Sequence, residues 1–102
     1  MNTTITARHG EVPDDLKSRA ADLMDRVAKF AHRPVRGEVV FDNGHNTKSA
    51  ELILHLPRSQ VRVAKGEAED FLTALDRAVE KLKHQLGKND VAKGSAKRNR
   101  TA

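Results

Sequence analysis

The sequence predicts a two-layer α+β sandwich, in which two helices cover one face of a four-stranded, mainly antiparallel sheet. Two segments repeat apolar residues every three to four positions, which is typical of amphipathic helices. Four other segments are rich in β-branched residues or alternate apolar with polar residues, which is typical of strands. Because the strands have one apolar and one mostly polar face, the sheet is expected to be covered on one side only. The predicted element order is β-α-β-β-β-α.

The first strand and the first helix come from residues 3–8 and the segment after Pro13. Four of residues 3–8 are β-branched, three threonines and one isoleucine, and such residues favour strands. Proline tolerates the first turn of a helix, and Asp14 and Asp15 complement the positive end of the helix dipole. The helix is expected to end before Pro34, because the residue before a proline is disfavoured in the helical region. Its apolar face is predicted to consist of Leu16, Ala20, Leu23, Met24, Val27, Phe30 and Ala31.

Three strands are predicted in the middle of the chain, separated by turns at Asp42–Gly44 and Pro57–Ser59. They are expected near residues 37–42, 49–56 and 60–64. In the last of these, Val61 and Val63 alternate with more polar residues, and the pattern predicts that both valines lie on the apolar face of the sheet. Antiparallel pairing through the two short turns follows from this spacing.

The second helix is predicted from about Glu69 to Leu86, with Gly87 as its C-terminal cap. Acidic residues begin this helix and basic residues end it, as the helix dipole favours. After Lys88 the chain consists mainly of small, polar and basic residues and cannot build a core. We therefore predict a folded domain over residues 1–88 and a basic, disordered tail over residues 89–102.

Length and composition exclude several classes of protein. The chain has 102 residues, which is enough for one hydrophobic core, and no cysteine, so disulfides and thiolate metal sites are excluded. No apolar run approaches the roughly 20 residues of a membrane-spanning helix. The N-terminus lacks the basic and apolar segments of a signal peptide, so a cytoplasmic protein is expected.

Motifs for catalysis are missing from the sequence. The five histidines lack the spacing of a metal site, and the chain has neither a glycine-rich phosphate loop nor a Gly-x-Ser-x-Gly elbow. The acidic pairs are explained by helix starts and solvated surface. We therefore expect no enzyme, no metal or other cofactor, and no small-molecule substrate.

Basic residues are the remaining signal for function. The formal net charge is +5, and residues 88–102 contribute five basic residues against one acidic residue, so the domain itself is nearly neutral. Basic side chains on the polar faces of both helices are either ordinary solvated surface or a strip that binds phosphates. Phe30, Phe41 and Phe71 fall at core positions, so no aromatic platform for unpaired bases is expected. A phosphate-binding strip would then recognise the backbone of a structured RNA.

Five segments, spread over residues 3–88, resemble a known family in order and spacing. Ile5–His9 is similar to the family's Ile-Thr-Gly-Arg-His, and Leu16-Lys17 opens the first helix in the same register. Ala50–Leu52, Asp70–Asp76 and Lys81–Leu86 match the family's third strand and two parts of its second helix. The family is that of the ribosome hibernation promoting factors, also called ribosome-associated inhibitors or sigma-54 modulation proteins.

The resemblance implies a fold close to a double-stranded-RNA-binding domain with an added first strand. It implies binding to rRNA of the small ribosomal subunit, in the channel used by mRNA and by A- and P-site tRNA, and silencing of bacterial ribosomes in stationary phase or stress. At 102 residues the chain resembles a short form. Short forms support ribosome pairing together with a separate pairing factor, or block pairing with a C-terminal tail.

The resemblance also implies the residues that contact rRNA, which are basic side chains of the two helices. They are Lys17, Arg26, Lys29, Lys81, Lys83 and Lys88, with Arg8 and His9 as weaker candidates. His84 stands where the family has arginine, and Leu23 where it often has lysine. Lys81 and Lys83 are expected to be exposed, so replacing both by glutamate is expected to weaken subunit binding with little effect on folding.

An alternative function is that of a protein–protein regulator that does not bind ribosomes. Such a protein would pair through the open face of the sheet or through an exposed edge strand. Salt separates the two hypotheses, because binding to RNA phosphates falls steeply with ionic strength and strand pairing does not.

Overall fold

The computed structural model describes residues 1–94 of the chain, and the side chains of residues 1–87. Within them the element order β-α-β-β-β-α is confirmed, with four strands in one sheet and two helices. The elements are β1 (Asn2–Arg8), α1 (Asp14–Ala28), β2 (Arg36–Asn43), β3 (Lys48–Leu56), β4 (Gln60–Ala68) and α2 (Phe71–Gly94).

The four strands lie side by side in their order along the chain. β1 pairs with β2 in parallel, and the pairs β2–β3 and β3–β4 are antiparallel hairpins. A parallel pair needs a long connection, and α1 supplies it. One row of paired residues across the sheet consists of Ile5, Val39, Leu52 and Ala64. This row faces the helices, which confirms the register expected from the alternation of the third strand.

The core lies between this face of the sheet and the two helices. The rings of Phe41 on β2 and Phe71 on α2 meet edge to face, with their centroids 5.5 Å apart. Both helices begin at the same end of the sheet and run antiparallel to β1, β2 and β4. The fully buried large side chains are Phe41, Met24, Leu52, Leu54, Leu75, Leu82, Val27 and Val39.

On β4 the predicted apolar face is wrong. Val61 and Val63 point away from the helices, with 41% and 45% of their surface exposed, and the buried positions of the strand are Ala64 and Gly66. The physical reason is the close approach of α2. A Cβ atom at Gly66 would overlap the carbonyl oxygen of Ala74, so this side of β4 accepts only very small residues where the helix crosses.

The predicted apolar face of α1 extends too far, because Phe30 and Ala31 both lie beyond the end of the helix. α1 ends at Ala28, and the N–H groups of Phe30 and Ala31 bond the carbonyls three residues earlier, which tightens the last turn. Because Phe30 lies beyond the helix, helical periodicity no longer directs its side chain to the core. Phe30 is 47% exposed, so an aromatic side chain lies at the surface where none was expected.

The second helix starts and ends later than predicted. Asp70 precedes it and caps it, because its Oδ1 accepts the N–H of Thr73 at 2.7 Å. The helix then continues through Gly87, whose backbone lacks the positive φ of a glycine cap. The predicted domain boundary at residue 88 therefore falls within the bounds of α2. Residues 95–102 of the predicted tail lie outside the described residues, and its disorder stays a prediction.

Candidate nucleic-acid interface

Two of the predicted basic residues, Arg26 in α1 and Lys29 at its C-cap, lie on the side of the helix that faces away from the sheet. α1 buries Ala20, Met24 and Val27 against the core, and a helix that buries one stripe exposes the opposite one. Arg26 and Lys29 are exposed, and Lys17 near the start of the helix is half-buried. Hence the C-terminal end of α1 and its cap residue present two exposed cations.

A groove between the two helices brings together one predicted residue from each of them. Arg26 of α1 and Lys83 of α2 both line this groove, whose volume is about 430 Å³. Asp76 and Glu80 also line it, and Nζ of Lys83 lies 3.9 Å from a carboxylate oxygen of Glu80. Both side chains of that pair are more than half exposed, so the ion pair is weak and leaves Lys83 available to a phosphate.

Lys81 lies on a different side of α2 and is already engaged. Its Nζ donates a hydrogen bond of 2.8 Å to the carbonyl oxygen of Lys65 on β4. Arg77 donates in the same way to the Glu67 carbonyl at 2.6 Å, and Gln85 donates to the Val63 carbonyl at 2.9 Å. Lys81 is exposed, as predicted, but its ammonium group is hydrogen-bonded to β4, which the sequence did not indicate.

These three bonds form a ladder between α2 and the outer edge of β4. Donors four residues apart on a helix are about 6 Å apart along its axis, and carbonyls two residues apart on a strand are spaced by about 6.6 Å. Because the two elements run antiparallel, Arg77, Lys81 and Gln85 meet Glu67, Lys65 and Val63 in that order. The ladder occupies carbonyls that an unprotected edge strand would offer to another chain.

The other predicted residues lie apart from the groove. His84 is exposed beside Lys81 and Gln85, on the β4 side of α2. Arg8 and His9 lie at the end of β1, near the start of the helices. The backbone of Lys88 belongs to α2, and its side chain lies outside the described ones. The structure therefore brings together Arg26 and Lys83 and separates them from His84, Arg8 and His9.

His9 has a carboxylate partner on the open face of the sheet. Its Nδ1 lies 2.9 Å from Oδ1 of Asp42, the residue that pairs with Arg8 across β1 and β2. The hydrogen bond from His9 is the main reason that the pKa of Asp42 lies below its usual value. His55 and Glu38 form a second pair on the same face, 2.5 Å apart. A phosphate would have to compete with these carboxylates, so neither histidine is a favourable contact.

A second group of basic side chains, which the sequence did not indicate, lies at the far end of the molecule. Arg33, Arg58 and Arg62 line one cleft with the exposed ring of Phe30, where the α1–β2 connection meets the β3–β4 hairpin. The three arginines come from turns and a strand end, where helical periodicity gives no indication of which side chains meet. The sequence feature that could have indicated this site is that Arg33 directly precedes Pro34 and Arg58 directly follows Pro57.

Two further observations concern residues 1–94 alone. Among them, histidine, aspartate and glutamate side chains do not gather in a group of three that could hold a metal ion. Neither of the two described helices combines the length and the hydrophobicity needed to cross a membrane.

Comparison with known proteins gives one family and several similar folds. The family model described as sigma 54 modulation protein/S30EA ribosomal protein matches residues 3–91. A ribosomal subunit interface protein from Coxiella burnetii superimposes with a TM-score of 0.79 at 19% identity, covering 89% of this chain and 99% of the other. The N-terminal domain of Protein Y from Thermus thermophilus gives a TM-score of 0.74 at 23% identity, with coverage of 87% and 99%. At these identities the two structures show a shared fold.

Proposed function

The chain belongs to the sigma 54 modulation protein/S30EA ribosomal protein family, a family of ribosome-associated proteins, and from this premise we propose that it silences translation by binding the small ribosomal subunit. In this proposal it contacts 16S rRNA and occupies the channel used by mRNA and tRNA during stress or stationary phase. The observation that carries the proposal is the extent of the family match, which spans β1 through most of α2.

In the proposed mechanism the protein binds rRNA and fills space in the channel, and no catalytic step is required. Arg26, Lys29 and Lys83 on the outer side of the helices hold rRNA phosphates, and each neutralised phosphate releases condensed counterions. The domain measures 43 × 28 × 21 Å, and a body of this size excludes mRNA and tRNA from the space that it fills. Inhibition is then steric.

The charges of the two faces favour the helix layer as the surface that meets rRNA. On the open face of the sheet, Lys65 lies 3.8 Å from Glu67, and the two histidines already described have carboxylate partners. On the helix layer, one ion pair joins described residues, Lys83 with Glu80, and neither Arg26 nor Lys29 takes part in an ion pair with a described residue. An approaching phosphate therefore displaces fewer carboxylates at the helices than at the sheet.

Two double variants with equal loss of charge test which face binds. Arg26→Gln/Lys83→Gln removes the two cations of the inter-helix groove, and Arg36→Gln/Lys65→Gln removes two exposed cations from the strands. Binding to purified small subunits is measured over a range of salt concentrations. We expect the groove variant to bind more weakly and its log–log salt slope to fall by about 2, because each lost phosphate contact lowers the slope by about 1.

The strand variant is expected to bind small subunits as the wild type does. Equal losses for the two variants would mean that net charge alone decides the affinity, and a larger loss for the strand variant would place rRNA on the sheet. Either result contradicts the proposed interface.

The alternative function, a protein–protein regulator, is restricted by the ladder on β4. Three outward carbonyls of β4 are occupied by Arg77, Lys81 and Gln85, so strand addition would have to use β1. The observation in favour of this alternative is the pair of exposed valines, Val61 and Val63, on the open face. A partner held by these valines would bind with little dependence on salt, and the same salt titration distinguishes the two functions.

A further inference from the structure

A cleft at the C-terminal end of α1 has the composition of a nucleotide-binding site. Its volume is about 470 Å³, and it lies between the α1–β2 connection, the β3–β4 hairpin and the side chain of Leu86 on α2. Apolar groups form part of its wall, and arginines, a histidine and a glutamine supply hydrogen-bond donors.

The formal charges among the described side chains that line this cleft are all positive. Arg33, Arg58 and Arg62 contribute three guanidinium groups, and the described lining includes neither aspartate nor glutamate. The ion pairs between described residues do not involve any of the three arginines. In contrast, two carboxylates line the inter-helix groove. Like charges that share a small space repel one another, and a bound anion removes this repulsion.

The backbone gives an independent reason to assign a role to these arginines. Arg33 has a φ of 54° and Arg58 a φ of 65°, both in the left-handed region that L-residues with a Cβ adopt at a cost. Ser59 follows with a φ of 61°, so residues 58 and 59 form the kind of tight hairpin turn that favours Asn-Gly. The chain thus places two arginines where glycine or asparagine would be more stable, and both line the same cleft.

The exposed ring of Phe30 completes the recognition chemistry. It is 47% exposed and lines both this cleft and the inter-helix groove. Aromatic rings stack on unpaired bases, and the planar fork of arginine binds phosphate oxygens in pairs. The amide of Gln60 can donate to and accept from a base edge. A phosphate alone would use the arginines and leave the ring unused, whereas a nucleotide uses both.

We propose that this cleft binds an unpaired nucleotide of single-stranded RNA, with its phosphates on Arg33 and Arg58 and its base stacked on Phe30. This goes beyond the proposed function, which rests on contacts between basic helix residues and the phosphate backbone. Because Phe30 also borders the inter-helix groove, a strand bound in the cleft can continue toward Arg26.

The test uses the full chain and short RNA, without ribosomes. Fluorescence anisotropy compares a labelled hexamer of adenylate with an abasic hexamer of the same charge, at low salt. We expect the adenylate strand to bind more tightly to the wild type. Phe30→Ala is expected to weaken binding of the adenylate strand by about fivefold or more, the loss of one stacked base, and to leave the abasic strand unaffected.

Glycine variants separate the effect of the two arginines on RNA binding from their effect on the stability of the fold. Arg33→Gly/Arg58→Gly removes two charges and relieves the left-handed backbone, so we expect unchanged or higher thermal stability together with at least tenfold weaker RNA binding. The matched control is Arg19→Gln/Lys65→Gln, which removes two exposed cations outside the cleft. We expect the control to lose less affinity than the glycine variant.

Equal affinity of the wild type for the adenylate and abasic strands would overturn the stacking on Phe30. Equal losses for the glycine variant and its control would overturn the cleft as the site. Amide NMR shifts on titration with the adenylate hexamer give a second readout, which is expected to concentrate in residues 30–33 and 56–62. Since no ribosome is present, failure here leaves the proposed binding to the small subunit to be judged by its own experiment.

Discussion

A single aspartate fixes the start of the longest helix. Asp70 accepts the backbone N–H of Thr73 at 2.7 Å and its hydroxyl at 3.1 Å. Both hydrogen bonds favour the charged carboxylate, the backbone one most, and they lower the pKa of Asp70 below its usual value of 3.8. A carboxyl group with a lowered folded-state pKa stabilises the fold at pH values above the unfolded pKa. This contribution is lost as pH falls through the folded pKa.

The first prediction concerns this cap. Asp70→Ala is expected to lower the urea midpoint at pH 7, because two hydrogen bonds at the helix start are lost. The difference from the wild type is expected to shrink as the pH falls from about 4, the pKa of an unfolded aspartate, through the lowered pKa of Asp70 in the folded state. Asp70→Asn keeps an acceptor for the Thr73 amide without a titrating group, so its difference from Asp70→Ala should not change with pH. A constant gap between wild type and Asp70→Ala from pH 7 to pH 3 would contradict the role of the charge.

The second prediction separates two neighbouring lysines. Lys81→Met keeps an apolar stem and removes the donor to the Lys65 carbonyl, so we expect the free energy of unfolding to fall by up to about 1 kcal/mol. Lys83→Met removes only an exposed ion pair, and we expect a change within about 0.5 kcal/mol. Urea unfolding of both variants checks this, and equal effects would mean that the bond to β4 is not formed in solution.

For single residues, the sequence predicted which side chains are exposed better than it predicted which atoms they contact. The helical period correctly placed Arg26 and Lys83 outside the core. It could not show that Lys81 meets a carbonyl of β4, because that contact depends on how α2 is aligned along the strand. Phe30 was misplaced because the periodicity was extended beyond the true end of α1.

At the scale of elements, the contact between α2 and β4 determines which side chains each can carry. The helix backbone lies directly over Gly66, where an added Cβ would overlap the Ala74 carbonyl oxygen and lie 2.6 Å from the Ala78 nitrogen. These are backbone atoms, so the helix itself would have to move. Close packing here keeps the ladder donors of α2 within reach of the β4 carbonyls.

The third prediction uses the same substitution at two glycines. Gly66→Ala is expected to destabilise the fold by about 1–3 kcal/mol, because the new methyl group collides with the α2 backbone. Gly87→Ala lies in the same helix with no atom within 4 Å of the new Cβ, and is expected to stabilise it by about 0.5–1 kcal/mol. Chemical denaturation measures both. Destabilisation by Gly87→Ala would mean that the helix ends at this glycine, as the sequence alone suggested.

The order of helices and strands was predictable from the sequence. Which residues of β4 face the helices was not. Alternation along β3 fixed its inward face and hence its pairing with β2. On β4 the alternating valines suggested the wrong face, since hydrophobicity is outweighed there by the need for small residues under α2. A local pattern contains no information about how closely a distant helix approaches.

At the scale of the whole molecule, basic side chains gather in two places with different chemistry. The inter-helix groove mixes Arg26 and Lys83 with carboxylates, and the cleft beside it combines arginines with an exposed ring. The groove was predictable in part, because its residues lie on helix faces that periodicity defines. The cleft was not, because it joins residues 30–33 with residues 56–62, and only the folded sheet brings these segments together.

The most direct test of the central claim is co-sedimentation of the protein with separated ribosomal subunits on sucrose gradients. The gradients are run at low and at moderate salt, with and without saturating mRNA and tRNA. We expect the protein to sediment with the small subunit, to dissociate as salt rises, and to be displaced by mRNA together with tRNA. Absence of binding at low salt, or binding that mRNA and tRNA leave unchanged, would contradict occlusion of the channel.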